Sequence, residues 1–457
     1  MRNAVPGAGA EGPKILRVLW LPHDGDDAFA GSPFAHEERE FGMIVDTVRA
    51  DPAQFCQRQP WEDDPAQVAE LDALIRDCEM ASGVSAGRIL LAGERDLGRG
   101  FSKLHFEAQP NAISRRVATD VAEPFRIVRR MFAFARDTLA RTEPDLVATA
   151  GWGDPLNFAF HLLAKQRAIA CAAIRPSPMW IGRCYWTDTL TYSNLPARVR
   201  AAEKCANNEF VSTDAQNYVE SFRSSAGAKR AAVVSGSNAF REWRQRRFFH
   251  RFDNEALSGL RYFYFAMQED PSESLNLRAP FWANQYNTAA LLTGSLPAGY
   301  KLLVHEHPNN VGRRPNQYYE DLSRLPGIVM IDGTEPRVHY VANAALIVTE
   351  NGPAGWEGLL LGRPVITLAD SFYEGAGLAR RLRDPEQLSA TVVDLLAPTL
   401  MPADTDDESR TGWILDAEWE TTAPVEDHAA VTELLRQFLD RFMEAGNAAH
   451  PRPEAIS

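Results

Sequence analysis

Short apolar runs rich in β-branched and aromatic residues alternate with amphipathic stretches along the second half of the chain. The runs that predict strands are Arg261–Met267, Tyr300–His305, Gly327–Ile331, Ala345–Thr349 and Pro364–Leu368. The stretches with apolar residues at helical spacing are Ala279–Leu292, Gln317–Leu325, Pro336–Ala342 and Ala354–Leu361. Strands that alternate with helices in this way are typical of βαβ units and a parallel sheet, so this half predicts a doubly wound α/β domain.

The first half shows the same alternation less regularly. Its strand candidates are Ile15–Leu21, Arg88–Leu91, Asp145–Ala150 and Ile169–Ile174, and its helix candidates are Glu37–Ala50, Ala66–Ser82, Ser114–Arg141 and Pro155–Lys165. The whole chain is therefore predicted to be α/β, with two Rossmann-like doubly wound domains facing a cleft. We expect the first domain at residues 1–225 and the second at residues 226–400. Residues 401–457 would form a loop and a helix that packs back on the first domain.

Composition and charge narrow the class of protein. The 457 residues include 48 Lys plus Arg and 61 Asp plus Glu, and the net charge of −13 argues against a nucleic-acid-binding protein. The five cysteines are odd in number and form no C-x-x-C pair, so a disulfide framework or a structural zinc site is not expected. Without a membrane-length apolar run or a secretory signal, we expect a cytoplasmic protein.

Unusual polar residues follow several predicted strands, where ligands bind in open α/β sheets. Gly151-Trp152-Gly153-Asp154-Pro155 comes directly after the strand Asp145–Ala150. Asp154 is either the N-cap of the next helix or a carboxylate that deprotonates a hydroxyl nucleophile in the cleft.

An acidic loop, Gln268 to Ser274, follows the strand Arg261–Met267. Glu269, Asp270 and Glu273 would repel one another unless a cation or an array of sugar hydroxyls lies among them. The loop is either a solvated acidic turn or part of a site, and we favour a site.

Two further loops predict a phosphate-binding site. His307 and Pro308 follow the strand Tyr300–His305, and an imidazole there can donate to a phosphate oxygen, particularly beside Glu306. Gly352 to Glu357 opens a helix after the strand Ala345–Thr349, where free backbone amides bind anions and Glu357 can accept from ribose hydroxyls. A structural histidine and an ordinary helix start are the alternatives.

No metal or nicotinamide cofactor is expected. Gly7 to Gly12 fits G-x-G-x-x-G but precedes the first strand rather than following it. Asp24-Gly25-Asp26-Asp27 could hold a divalent cation such as Mg²⁺, but acidic turns after strands are common, so we expect metal-independent chemistry.

The motifs of the second half together resemble a known family, the bacterial capsule and surface-polysaccharide biosynthesis proteins related to the Kdo transferases of capsule assembly. The resemblance covers about 262–373. It lies in FAMQEDPSES (Phe265–Ser274), WANQ (Trp282–Gln285), VHEHP (Val304–Pro308), RRPNQYY (Arg313–Tyr319), GPAGWEG (Gly352–Gly358) and GRPVITLADSFY (Gly362–Tyr373).

The resemblance implies a GT-B architecture, with the acceptor on the first domain and a nucleotide-sugar donor on the second. It implies that His307 and Pro308 contact the donor phosphate, that Glu357 binds the ribose, and that the Gln268–Ser274 loop faces the reacting sugar. The donor-site candidates are Gln268, Glu306, His307, Pro308, Arg314, Gly352, Ala354, Gly355, Glu357 and Tyr373.

This chain departs from the family pattern at several of these positions. The family commonly has His at the position of Gln268, Gln-Pro-Glu at the position of Asp270-Pro271-Ser272, and Lys at the position of His305. The catalytic carboxylate is therefore open among Asp270, Glu273 and, as acceptor base, Asp154.

The sequence thus favours a glycosyltransferase that transfers a sugar to a capsule or surface glycan or glycolipid. The resemblance makes a CMP-sugar, with Kdo first, the expected donor, and a UDP-sugar stays open. The alternatives are an epimerase-like enzyme on the same architecture and a non-catalytic nucleotide-sugar-binding subunit. The basic and aromatic stretch Arg241–Arg251 leaves open a peripheral contact with the inner membrane.

Overall fold

The structure is a computed structural model of the chain. It describes residues 16–21, 43–50, 52–88, 122–152, 155–188, 194–225, 244–270, 275, 278–311, 314–374, 377–397 and 407–449.

Twelve strands of the described residues form two six-stranded sheets. The first sheet consists of β1 (Leu16–Leu21), β2 (Met43–Thr47), β3 (Leu146–Thr149), β4 (Ala170–Pro176), β5 (Arg183–Thr187) and β12 (Ala423–Pro424). Its order is β12-β5-β4-β3-β1-β2, with β5 and β12 antiparallel to their neighbours and the other pairs parallel.

The second sheet is parallel throughout. It consists of β6 (Tyr262–Ala266), β7 (Lys301–His305), β8 (Ile328–Ile331), β9 (Leu346–Thr349), β10 (Val365–Thr367) and β11 (Ala379–Arg381), in the order β11-β10-β9-β6-β7-β8. From β6 the chain continues through β7 and β8 on one side of the sheet, and then returns to β9 on the other side of β6. This reversal between β6 and β9 is a switch point, which opens a crevice at the carboxyl ends of those two strands.

Helices cover both faces of each sheet. They are α1 (Pro65–Ser82), α2 (Glu123–Thr142), α3 (Pro155–Gln166), α4 (Leu195–Asn207), α5 (Thr213–Ser225), α6 (Asn254–Ser258), α7 (Gln285–Gly294), α8 (Asn316–Ser323), α9 (Arg337–Asn343), α10 (Pro353–Leu360), α11 (Leu388–Leu396), α12 (Asp407–Glu420) and α13 (His428–Ala449). The two layered α/β sheets confirm the predicted fold class.

The central strand β6 shows why the second sheet forms. All five of its residues are buried, and alternate side chains enter opposite cores. Phe263 and Phe265 pack with α7, α8 and α11, whereas Tyr262 and Tyr264 pack with α9 and α10. A strand buried on both faces reads as a continuous apolar run, which is what this sequence shows.

The two halves of the molecule share one of these cores. Helices α4, α5 and α12 contribute Ala201, Ala215 and Trp413 to the cluster that covers the α9 and α10 face of the second sheet. Helix α13 lies against the first sheet, where Val431 and Leu435 meet residues of β1 and β4. None of the described helices combines the length and apolar character that crossing a bilayer requires.

One element was predicted with the wrong secondary structure. The segment Glu37–Ala50 has helical spacing of apolar residues, but Met43–Thr47 forms the parallel edge strand β2, paired with β1. Met43-Ile44-Val45 contains two β-branched residues, and pairing with a buried strand outweighs the weak helical pattern. Residues 37–42 lie outside the described part of the chain, as do residues 89–91 of the strand expected at Arg88–Leu91.

Candidate active site

The site lies where β6, β7 and β9 end, at one edge of the second sheet. These parallel neighbours are followed respectively by Gln268–Asp270, His305–His307 and Glu350–Gly352. Three of the loops singled out in the sequence therefore meet beside the switch point. Gln268 joins them, because its carbonyl accepts from Asn310 Nδ2 at 3.1 Å and its side-chain amide abuts Gly352.

Arg314 is the cation at the centre of this edge. Its side chain is only 4% exposed, its Nε donates to Glu306 Oε2 at 3.0 Å, and its Nη1 donates to Asp270 Oδ2 at 2.7 Å. Two buried carboxylates thus share one guanidinium, whose fixed fork of donors holds both side chains in place. The sequence motif contained Arg314 but did not reveal these partners.

Glu306 is oriented into the protein rather than toward the ring of His307. Its Oε2 also accepts from the Tyr319 hydroxyl at 2.9 Å, and its Oε1 accepts from the backbone N–H of His307 at 2.7 Å and from Asn310 Nδ2 at 3.2 Å. Both oxygens therefore stabilise the loop after β7. The effect is to hold the chain at His307 in position.

His307 is half-buried at the start of a short turn, Pro308–Asn310. Its Nδ1 accepts from the backbone N–H of Asn309 at 3.2 Å, so the neutral ring carries its proton on Nε2. Burial lowers the pKa of His307, with Glu269 and Glu306 opposing that change. The neutral imidazole therefore has its Nε2–H as a hydrogen-bond donor at pH 7.

His305 has a different role from its neighbour. It is buried, its Nδ1 lies 2.7 Å from the Tyr264 hydroxyl, and burial lowers its pKa to about 3. The His305 ring is therefore neutral, and its contact with the Tyr264 hydroxyl links β7 to β6.

The turn that opens α10 is tightly packed. A Cβ on Gly352 would lie 2.5 Å from Gln268 Nε2, and a Cβ on Gly355 would overlap the Tyr373 hydroxyl. That hydroxyl donates to the Gly352 carbonyl at 3.0 Å. Gly352, Ala354 and Gly355 are buried and Pro353 is exposed, so the turn reaches the surface at its tip. Small residues are required here because the Tyr373 ring lies against the helix backbone.

A substitution at Gly355 tests this packing. Gly355→Ala is expected to lower the free energy of unfolding by about 1–3 kcal/mol, since the methyl group displaces the buried Tyr373 ring. Gly294→Ala is the matched control, because a Cβ at the end of α7 meets nothing within 4 Å. Chemical denaturation of both variants measures the difference, and equal stabilities would show that the turn is not tightly packed.

Glu357 is the fifth of the eight residues of α10. Its carboxylate accepts two hydrogen bonds from the Arg337 guanidinium, with both N–O distances 2.8 Å. Glu357 is buried and Arg337 is partly exposed. The pair joins α9 to α10 beside the crevice. Ribose binding by Glu357 stays a prediction, and the structure adds Arg337 as the group that orients the carboxylate.

Two of the catalytic candidates lie outside the described residues: Asp154 and Glu273. The same is true of the Gly7–Gly12 motif and the Asp24–Asp27 turn. In the described ranges around them, Asn157 donates to the Thr149 hydroxyl and the Gly151 carbonyl, which holds the loop after β3. No group of three metal-ligating side chains is found within the described portion of the chain.

Sequence reasoning missed the acid that immediately follows β9. Glu350 is completely buried at the switch point, two residues before the Gly352–Glu357 turn. The rule that ligand-site residues follow strands pointed to this position. Glu350 was not singled out because its burial cannot be seen in the sequence.

Comparison with known proteins supports the assignment of the second half. Residues 181–392 match the family described as "Capsule polysaccharide biosynthesis protein". Protein FixF of Sinorhizobium fredii (strain NBRC 101917 / NGR234) is 28% identical over 137 residues, an alignment that covers 28% of this chain and 32% of FixF. This chain therefore spans about a third of the length of that relative.

Two solved structures show weaker likenesses. The β-Kdo 2,7 transferase KpsC of Thermosulfurimonas dismutans aligns at 10% identity and a TM-score of 0.35, over 66% of this chain and 88% of that one. The UDP-GlcNAc 2-epimerase of Neisseria meningitidis aligns at 10% identity and a TM-score of 0.33, over 92% of this chain and 100% of that one. The strand order of the two sheets defines the fold of this chain independently of these two TM-scores. The match over residues 181–392 confirms the resemblance to capsule polysaccharide biosynthesis proteins that the sequence motifs predicted.

Proposed function

We propose that this protein is a glycosyltransferase of capsule or surface-polysaccharide biosynthesis, which transfers a sugar from a nucleotide donor to a glycan acceptor. One observation carries the proposal: at the switch point of a parallel sheet in the matched domain, Asp270, His307 and the Gly352 turn lie at one edge. A carboxylate beside two phosphate-binding groups is the set that transfer from a nucleotide sugar requires.

The leaving phosphate would be bound by His307 and the turn. The Nε2–H of the neutral ring donates one hydrogen bond, and the backbone N–H of Ala354 in the first turn of α10 donates another. Pro353 has no N–H, and the N–H groups of Gly352 and Gly355 already donate to Thr349 Oγ1 and the Gly352 carbonyl. These donors stabilise the negative charge that develops on the phosphate oxygen when the bond to the anomeric carbon breaks.

Asp270 would act on the sugar side of that bond. Arg314 holds one carboxylate oxygen at 2.7 Å, so the other is oriented by a rigid, buried neighbour. As a general base, Asp270 takes the proton of the acceptor hydroxyl while that oxygen attacks the anomeric carbon and the nucleotide leaves with the bonding electrons. As a nucleophile, it attacks that carbon first and is displaced by the acceptor. Asp154 stays our candidate for the acceptor base from the first domain.

We further propose an identity for the donor nucleotide and its sugar. Its support is the resemblance of the motifs in residues 262–373 to the Kdo transferase relatives, which favours a CMP-sugar and Kdo as the sugar. The acidic loop and the cation at Arg314 are compatible with a UDP-sugar as well. Epimerase-like chemistry and a non-catalytic binding subunit are the outcomes that the following experiment separates from transfer.

Nucleotide titration is the first test. We expect CMP to bind the wild-type protein and His307→Ala to weaken that affinity by about tenfold or more, because a hydrogen bond to a charged phosphate is lost. His250→Ala, at an exposed histidine outside the site, is the control and should bind as the wild type does. UMP and UDP titrated in the same way distinguish the base.

Turnover then separates the classes of function. CMP-Kdo and UDP-sugars incubated with and without glycan acceptors should yield free nucleotide and a new glycoside. Nucleotide binding without turnover of any donor indicates a binding subunit, and a changed sugar that stays attached to its nucleotide indicates an epimerase. Absence of binding by every nucleotide would contradict the proposal.

A further inference from the structure

Glu350 is a buried acid without the partners that a buried charge requires. It follows β9 at the switch point, and its residue exposure is 0%. Neither carboxylate oxygen makes a hydrogen bond of regular geometry with any of the described residues. Burial of an ionised carboxylate costs several kcal/mol unless it is paired and hydrogen-bonded, so its surroundings decide its charge.

The titratable groups around Glu350 belong to three segments of the chain besides its own. Asp270 follows β6, Arg314 and Tyr318 belong to the segment that begins α8, and Tyr373 follows β10. Arg314 is the cation of this group, and its Nε and Nη1 are already bonded to Glu306 and Asp270. A third negative charge on Glu350 would therefore add to two carboxylates that one guanidinium already serves.

The physical chemistry of the cluster points to a neutral Glu350. Burial, together with the charge of Asp270, raises the pKa of Glu350 to about 8, although Arg314 and the nearby amide of Gln268 favour the ionised form. The unbonded Nη2 of Arg314 and the Nδ2 of Asn351 are also buried. The switch point thus holds buried hydrogen-bond donors without acceptors, which is the pattern that a bound oxyanion would complete.

We propose that Glu350 is held as the neutral acid beneath the Gln268 and Gly352 loops, and that the site binds an oxyanion of its ligand only in this state. The proposal rests on the proposed function, since it deepens the account of the same site. A neutral carboxyl group donates a hydrogen bond and exerts no repulsion. An ionised one repels the oxyanion and competes with Asp270 for Arg314.

The oxyanion is either a nucleotide phosphate or a sugar carboxylate, and the probes separate the two. CMP carries only the phosphate, inorganic phosphate tests that group without a base, and free Kdo carries only the carboxylate. The probe whose affinity depends on Glu350 is the one whose oxyanion lies next to it.

Between pH 7 and pH 9, the titration of Glu350 can be separated from that of His307, the phosphate ester, Tyr318 and Tyr373. The pKa of His307 is lowered from its ordinary value near 6.5, so its titration is complete below this window, and the second ionisation of a phosphate ester, near 6, is largely complete as well. Burial raises the pKa values of Tyr318 and Tyr373 above the window.

The experiment compares wild type and Glu350→Gln by calorimetric titration from pH 7 to pH 9. Wild-type affinity for one of the probes should fall by about tenfold at pH 9, one unit above the pKa of about 8. Glu350→Gln mimics the neutral acid and should keep its affinity within about twofold across the range. The control is Glu418→Gln, at a buried acid whose pKa is raised to about 7 and which bonds Ser177 and Asn194 outside the site; it should follow the wild-type profile.

Thermal unfolding without ligand tests the protonation itself. The folded protein keeps the Glu350 proton from about pH 4.5 to about pH 8, whereas the unfolded chain releases it, so this acid makes wild-type stability fall as pH rises through that range. The melting temperature of Glu350→Gln minus that of wild type should therefore increase from pH 5 to pH 8 and then level off.

The outcomes separate the two proposals. If wild type binds no nucleotide at pH 7, the proposed function fails, and the melting-temperature difference still reports on Glu350. A melting-temperature difference that is constant with pH overturns the neutral Glu350. Wild-type affinities that are flat to pH 9, or an equal decline in Glu350→Gln, overturn its role in oxyanion binding.

Discussion

Replacement of Arg314 by methionine is expected to lower the free energy of unfolding by about 3–5 kcal/mol. Methionine retains much of the side-chain volume but removes the cation that Glu306 and Asp270 share. Both carboxylates are buried, so the substitution removes the cation to which each is hydrogen-bonded in a poorly solvated environment. Denaturant unfolding followed by circular dichroism measures the loss.

Arg247→Met provides the matched control for this prediction. Arg247 pairs with Glu320 of α8 at 2.9 Å, but both side chains are exposed, 57% and 36%, so its loss should cost less than about 1 kcal/mol. Similar losses in the two variants would show that Arg314 contributes no more than a surface ion pair. That result would contradict a structural role for Arg314 as the shared partner of Glu306 and Asp270.

Replacement of Asp270 by asparagine is expected to reduce the rate of sugar transfer by about 10²–10⁴, the range associated with a missing general base, with donor affinity nearly unchanged. Arg314 keeps Glu306 as its partner in this variant, so the loop after β7 should stay folded. Single-turnover transfer with a saturating donor measures the chemical step. Melting temperature confirms that the loss is not one of folding.

The control for Asp270 is its neighbour Glu269. Glu269 is half-buried and accepts from Asn309 Nδ2 at 3.1 Å, on the outer side of the same loop. Glu269→Gln should leave the transfer rate close to that of the wild type, because the glutamine oxygen can still accept the hydrogen bond from Asn309. If Asp270→Asn is fully active, the carboxylate assignment moves to Glu273 or Asp154, and variants of those two residues decide between them.

Most of the second sheet was predictable from the sequence. The strands β6 to β10 lie within the predicted runs, and each begins one residue after the predicted start. This agreement has a physical cause. Strands that are buried on both faces are continuous apolar runs of β-branched and aromatic residues, and turn residues separate them clearly from the amphipathic helices.

The short and marginal elements were not predictable to the same degree. The antiparallel strands β5 and β12 have few residues and no alternation of their own, and they form because the edge of the first sheet is available to pair with them. Helix α12 begins at Asp407, within residues 401–457, for which the sequence predicts a loop and a single helix. Its contacts with α4 and α5 stabilise it, and no local pattern indicates those contacts.

For the site, the sequence by itself determined which loops meet. A parallel sheet brings the carboxyl ends of neighbouring strands to one edge, so the sequence alone groups the residues after β6, β7 and β9. The tertiary structure alone decided what those residues do to one another. Arg314 joins Glu306 to Asp270, the ring of His307 is neutral, and Glu350 is buried with no hydrogen bond of regular geometry from the described residues to its carboxylate. The reason is that charge state depends on desolvation and on neighbours only ångströms away in space, which the linear order of residues does not record.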